Sequence, residues 1–181
     1  MRLRIIAGKL GGRTIFAPDG VTTHPMGERV RNAMFNSIGE EIKGAVVLDA
    51  FAGSGSVGLE AISRGAESAT FLEKDPLAGR IMEENIDEVS VRSQSITFHG
   101  GVRAWINRTN EKYDIIFADP PYNHVQLSTV VKLFKLLKPN GLMVLSYPGR
   151  GERPTELESV VVDSRSYGTA SLAYYRKKDA S

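Results

Sequence analysis

An apolar run at 45–49 (AVVLD) leads directly into Asp49-Ala50-Phe51-Ala52-Gly53-Ser54-Gly55-Ser56-Val57-Gly58 and then into a helical pattern at 56–64 that Gly65 closes. A strand, a glycine turn and a helix in immediate succession constrain the fold more than any other stretch of the chain. The spacing Gly53-x-Gly55-x-x-Gly58 lets the backbone turn tightly and approach a ligand at the end of a parallel strand. The next apolar run, 69–73 (ATFLE), ends in Glu73, 20 residues after Gly53. An acid in that position can accept hydrogen bonds from both hydroxyls of a ribose.

The same alternation continues along the chain. A charged amphipathic helix is expected at 76–89, a strand at 95–98, a helix at 102–107 and a strand at 113–118. A helix is expected at 125–137 with Val131, Phe134 and Leu137 on one side, then a strand at 141–147. Strands alternating with helices imply an α/β fold with a parallel, doubly wound sheet. Two last strands, at 158–163 and 171–175, have no helix between them and read as an antiparallel hairpin on the sheet edge. At the front, 3–6 and 14–16 flank Gly8, Gly11 and Gly12 as a small hairpin, and a helix at 28–37 joins it to the rest. With 181 residues the chain suits one domain, 1–181, made of an extension at 1–40 and a core at 41–181.

A carboxylate, Asp49, stands at the mouth of the glycine loop. Its charge opposes the pyrophosphate of a dinucleotide, which otherwise favours a helix N-terminus, and attracts a cation. S-adenosylmethionine (SAM) offers a ribose, an ammonium group and a sulfonium, and carries no phosphate. The charge pattern therefore favours SAM over NAD, with Asp49, Ala50, Phe51, Gly53, Ser54, Gly55 and Glu73 around it.

The strand at 113–118 ends in Asp119-Pro120-Pro121-Tyr122. Two prolines fix two φ angles and remove two N–H donors, so the turn is stiff. The Asp119 carboxylate and the Pro120 carbonyl can both accept hydrogen bonds from one amino group bearing two protons, Pro121 adds no competing donor, and Tyr122 can stack on a planar base. An exocyclic amino group is a poor nucleophile, because its lone pair is delocalised into the ring. Two fixed acceptors favour a pyramidal nitrogen and stabilise charge developing on it. Such chemistry needs no metal and no covalent intermediate.

Charge is unevenly spread. Residues 1–31 hold Arg2, Arg4, Lys9, Arg13, Arg29 and Arg31 against Asp19 and Glu28, a net +4 in a chain whose total is +2. A basic arm on a near-neutral body suits a polyanion. Hydrophobic content of 41% and charged content of 24% are ordinary for a globular protein, and no stretch reaches the roughly 20 apolar residues of a membrane span. The start of the chain lacks a secretory apolar region, so the expected location is the cytoplasm. Without cysteine there are no disulfides or thiolate metal sites.

DAFAGSGSVGLEA, FLEKD and ADPPYN together resemble the class I methyltransferases that modify exocyclic amino groups. RIIAGKLGGR, HPMGERVRNAMFNSI and YGTASLAYYR extend the likeness, nearly end to end, to the RsmD-like family, bacterial enzymes that methylate guanine N2 of 16S ribosomal RNA. The resemblance implies a Rossmann-like, seven-stranded, mostly parallel sheet with its last strand antiparallel, plus an N-terminal β-hairpin extension. It implies Asp119, Pro120, Pro121 and Tyr122 at the reaction centre. It turns the hairpin and the 25–31 segment toward RNA, with Arg2, Arg4, Lys9, Arg13, His24, Pro25, Arg29 and Arg31 as contacts. The partner is then 16S rRNA, free or within an assembling small subunit, with a monomer as the default state. His24 and Met26 stand where the family usually has Arg and Thr, and Asn32 where it often has Glu. No acid follows the third core strand, so adenine contacts fall to the backbone near Gly101 and Val102, with His99 an ordinary surface histidine. Three alternatives stay open from the residues: adenine N6 methylation of DNA or RNA, an NAD-dependent oxidoreductase, and a non-catalytic RNA-binding module.

Overall fold

The computed structural model describes residues 1–19, 25–121, 127–149 and 159–178. Its centre is a seven-stranded sheet built from β3 (Val46–Asp49), β4 (Ser68–Glu73), β5 (Ser95–His99), β6 (Tyr113–Ala118), β7 (Leu137–Pro148), β8 (Ser159–Tyr167) and β9 (Ala170–Lys177). The spatial order is β5-β4-β3-β6-β7-β9-β8. The pairs from β5 to β7 are parallel, and β9 runs antiparallel to both β7 and β8. A separate two-stranded sheet, β1 (Arg2–Arg4) with β2 (Thr14–Phe16), forms the N-terminal hairpin.

Near-continuous apolar strands are what a sheet covered on both faces demands. Alternate residues of β3 and β6 feed two cores. Val47, Ile115 and Phe117 join the core under α1 (Glu28–Ile38), α2 (Ser56–Ser63) and α3 (Pro76–Glu88), which also holds Ile5, Leu10 and Ile15 of the N-terminal segment. Leu48 and Ile116 join the opposite core, under α4 (Val102–Ile106) and α5 (Leu127–Leu133). No helix among the described residues is long and apolar enough to cross a membrane.

Two expectations about the 125–148 stretch need correction. The helix is shorter than 125–137: α5 ends at Leu133, a 3-10 turn covers Phe134–Leu136, and Val125 lies outside the described residues. Its inner face is therefore Val130, Leu133 and Phe134, while Val131 is exposed. Leu137 already belongs to β7, paired with Tyr113, and the register slips before Ile115 meets Leu142. That irregularity holds Asn140 at φ +58°, so the strand begins earlier than Gly141 through a bulge.

Candidate active site

The sheet order reverses between β3 and β6, because β4 and β5 extend to one side of β3 and β6 and β7 to the other. Crevices beyond the C-terminal ends of strands at such a switch point are where open α/β sheets bind ligands. Asp49 ends β3, Glu73 ends β4 and Asp119 follows β6, so all three carboxylates reach the same edge.

The glycine loop is held by its own backbone. Ala50 N donates to Phe117 O at 3.0 Å, Ala52 N to Leu72 O at 2.9 Å, and Gly55 N to Ala52 O at 2.7 Å. Gly55 sits at φ +82°, a left-handed conformation that side chains disfavour. At Gly58 the constraint is space: an added Cβ would stand 2.2 Å from the Phe71 ring, so α2 packs against β4 only through glycine. Gly58 N donates to Asp49 Oδ2 at 2.9 Å, and Gly53 N donates to Glu73 Oε2 at 2.7 Å. Glu73 Oε1 accepts a further bond from Asp75 N at 2.7 Å. Both acids are thereby aimed by the loop they flank.

Electrostatics follow from depth. Asp49 is buried, and desolvation lifts its carboxyl to about 7, with the carboxylates of Asp119 and Glu73 pushing the same way. Burial lifts Asp119 to about 6, opposed by a hydrogen bond from the Ser146 hydroxyl of β7. Among the described residues no group of three His, Asp or Glu side chains could hold a metal ion. The arrangement can instead accept hydrogen bonds at several fixed points and receive positive charge.

Pro120 is buried and Pro121 half-buried immediately after Asp119, while Tyr122 lies outside the described residues. Gly101 and Val102 open α4 at the same sheet edge, since β5 pairs with β4 with His99 opposite Glu73. His99 is exposed, 3.1 Å from Glu83 Oε1.

The arm departs from expectation in part. Arg2, Arg4, Lys9, Arg13 and Arg29 are exposed and Pro25 half-exposed; His24 lies outside the described residues. Arg31 is a correction, because its side chain is fully buried. Its guanidinium donates to Met26 O and Arg4 O and lies 3.7 Å from Glu60 Oε2, so it knits the extension together and presents nothing to a polyanion. Arg13 likewise spends its guanidinium on Glu88 O and Val89 O at the end of α3.

Two polar residues that tie the extension to α2 and to the glycine loop were missed. Glu60, buried on α2, accepts from Ile6 N, Ala7 N and Arg64 Nε. Asn85, buried on α3, binds both backbone groups of Phe16 and donates to Ser54 O of the loop. Their signals were a lone acid inside the apolar run of α2, and a polar residue three positions after Met82 on the inner stripe of α3.

Residues 3–176 match the family model described as Conserved hypothetical protein 95. The chain is 34% identical to "Ribosomal RNA small subunit methyltransferase D" of Buchnera aphidicola, over 80% of this chain and 77% of that protein. It is 28% identical to "Putative rRNA methyltransferase YlbH" of Bacillus subtilis, over 97% of this chain and all of that one. The chain belongs to the ribosomal RNA small subunit methyltransferase D family. Among solved structures, "Putative methyltransferase yhhF from Escherichia coli" superposes with a TM-score of 0.88 at 26% identity, covering 98% of this chain and 99% of that one. Membership makes the protein a methyltransferase, and the sheet order and terminal antiparallel strand are those of the class I fold that the family shares.

Proposed function

We propose that this chain, acting as a monomer, methylates the exocyclic N2 amino group of a guanine in small-subunit ribosomal RNA, free or within an assembling particle. SAM is the methyl donor and, when bound, supplies an electrophilic methyl group on a sulfonium. The residues present suit it: the loop mouth offers two carboxylate acceptors, Asp49 and Glu73, and both are pre-aimed by loop N–H groups. Glu73 takes the ribose hydroxyls and Asp49 lies beside the cationic end. Ala50, Phe51, Gly53, Ser54 and Gly55 shape the wall, and the backbone near Gly101 and Val102 faces the adenine.

The observation that carries this reading is Asp119 with Pro120 directly across the switch point from Asp49 and Glu73. Asp119 and the Pro120 carbonyl accept hydrogen bonds from the two N–H groups of the amino group, Pro121 keeps the turn free of donors, and Tyr122 stacks on the base. The target must leave its stack to reach this crevice, so an exposed loop or a flipped base is the substrate form. Arg2, Arg4, Lys9, Pro25 and Arg29 lie toward the RNA.

Incubation of the protein with SAM and small-subunit RNA, followed by nucleoside analysis, should yield N2-methylguanosine; N6-methyladenosine as the product would overturn the reading. Asp119→Asn should lower kcat by about 10²–10³-fold while SAM affinity holds within about twofold, as expected for losing one preorganised acceptor. Because Asp119 must be ionised, the wild-type rate should fall as pH drops through about 6.

A further inference from the structure

The hairpin has two unlike faces. Its register pairs Arg2 with Phe16, Leu3 with Ile15 and Arg4 with Thr14. Pleating sends alternate residues to opposite sides, so Arg2, Arg4, Thr14 and Phe16 share one face and Leu3 and Ile15 the other. Ile15 is fully buried and belongs to the main core, with Leu3 packed against it. The other face is in solvent, and Phe16 is 47% exposed on it.

A single exposed aromatic is ordinary on a protein surface. Two observations separate Phe16 from that case. First, the residue opposite it on the face is the cationic Arg2, and Arg4 lies one pair further along across from Thr14. Among the described residues Arg4 engages the half-exposed Glu28, a weak and exchangeable pair, and Arg2 has no ion-pair partner. Second, the ring is held at a fixed offset from the glycine loop. Asn85 Oδ1 accepts from Phe16 N at 2.9 Å, and Asn85 Nδ2 donates to Phe16 O at 2.7 Å and to Ser54 O at 2.9 Å. One buried amide thus grips both backbone groups of the residue that carries the ring and the loop that lines the cofactor crevice.

We propose that the solvent face of the hairpin is a base-stacking platform, in which Phe16 stacks on an unpaired base of the RNA substrate while Arg2 meets an adjacent phosphate. The inference rests on RNA being the substrate and adds a positioning residue to that reading. Aromatic rings interleaved with cations are how single-stranded nucleic acid is held without base-specific hydrogen bonds. A protein partner would call for a wider apolar surface than one ring opposite Arg2 with Arg4 diagonal to it. The Asn85 clamp gives the platform its use: a base stacked on Phe16 is set at a constant distance from the crevice, so the platform acts as a ruler for the target nucleotide.

The test uses the full chain as wild type, Phe16→Ala, Phe16→Leu and Phe16→Trp, with a short mixed-sequence single-stranded RNA as probe. Stacking on one base is worth about 1–3 kcal/mol, so Phe16→Ala should bind the RNA about 5- to 150-fold more weakly. Phe16→Leu should stay weak, and Phe16→Trp should bind as wild type with its added emission quenched by RNA. SAM affinity by calorimetry should be equal in all four proteins, which also reports that each is folded. Equal RNA affinity of Phe16→Ala and wild type overturns the platform, as does full rescue by Phe16→Leu, which would mark a merely apolar contact. A defect confined to ribosomal particles and absent on naked RNA overturns it in favour of a protein contact. Methylation by the wild type is scored separately. Ring-dependent RNA binding without methyl transfer would sink the function and keep the platform; methyl transfer with an unchanged KM in Phe16→Ala would do the reverse.

Discussion

Asp49 is the residue at which the site's electrostatics oppose its stability. Burial lifts its carboxyl to about 7 in the fold, well above the roughly 3.9 of an exposed aspartate, so the folded protein holds that proton more tightly than the unfolded chain. A raised carboxyl contributes stability that is fully present below the unfolded value and is lost as pH rises through the folded one. Folding stability should therefore decline between about pH 4 and 7, on the order of 4 kcal/mol if the whole shift is realised. Asp49→Asn keeps one acceptor for the Gly58 N–H and removes the buried charge. Thermal melts of the ligand-free protein from pH 4 to 8 should show the variant equal to wild type at the acid end and several degrees more stable at pH 7. The same variant should bind SAM more weakly, because the charge that destabilises the empty crevice is the one that meets the cation. An unchanged pH slope would show that Asp49 is solvated. At this scale the acids were legible, since their positions at strand ends follow from spacing. Arg31 was not, because sequence reports the sign of a charge and not its depth, and only the fold places Glu60 beneath it.

The N-terminal extension is joined to the core by polar contacts as much as by apolar ones. Glu60 on α2 accepts from Ile6 N at 2.8 Å, Ala7 N at 3.1 Å and Arg64 Nε at 2.7 Å, with Arg31 alongside, all at a buried position. Ser63, one helical turn later on α2, accepts from Leu10 N and donates to Ala7 O. The docking of α2 and of the hairpin is thus one network. Removing the charge of a buried pair and leaving its partner behind costs about 3–5 kcal/mol. Glu60→Gln should lower the melting temperature and, in hydrogen exchange, speed amide exchange at residues 2–16 before it affects β3 and β4. Uniform loss of protection across the sheet would mean that the extension is not a separable unit. Element types were readable here because a strand, a glycine turn and a helix each leave a local pattern. Element ends were less so: α5 stops at Leu133 because β7 recruits Leu137 to pair with Tyr113, a contact between residues far apart in sequence.

Across the whole molecule, alternating strands and helices announced a parallel sheet, but the order in which strands lie side by side depends on which crossovers pack on which face, and no local pattern records it. The order decides that β3 and β6 are neighbours, and so that Asp49 and Asp119, 70 positions apart in the chain, share one crevice. The proline turn could be read as a stiff pair of acceptors from sequence; that it faces the glycine loop is a property of the sheet. This geometry carries a last prediction, about which ligand stabilises the fold. Three carboxylates line the crevice, and two of them are raised by burial, Asp49 with help from its acidic neighbours and Asp119 without. A cationic ligand relieves that strain, whereas a pyrophosphate adds to it. At about 100 times its dissociation constant a ligand specific for the folded state contributes about 2.7 kcal/mol, which for a chain of this size is a rise of roughly 5–10 °C in melting temperature. SAM should produce that rise and NAD none. The rise should shrink as pH falls through about 7, because protonation of Asp49 removes the charge that the cation meets. Equal stabilisation by NAD, or a SAM effect that grows toward acid pH, would mean that the ribose and the adenine alone hold the ligand and that the buried acids serve only the loop.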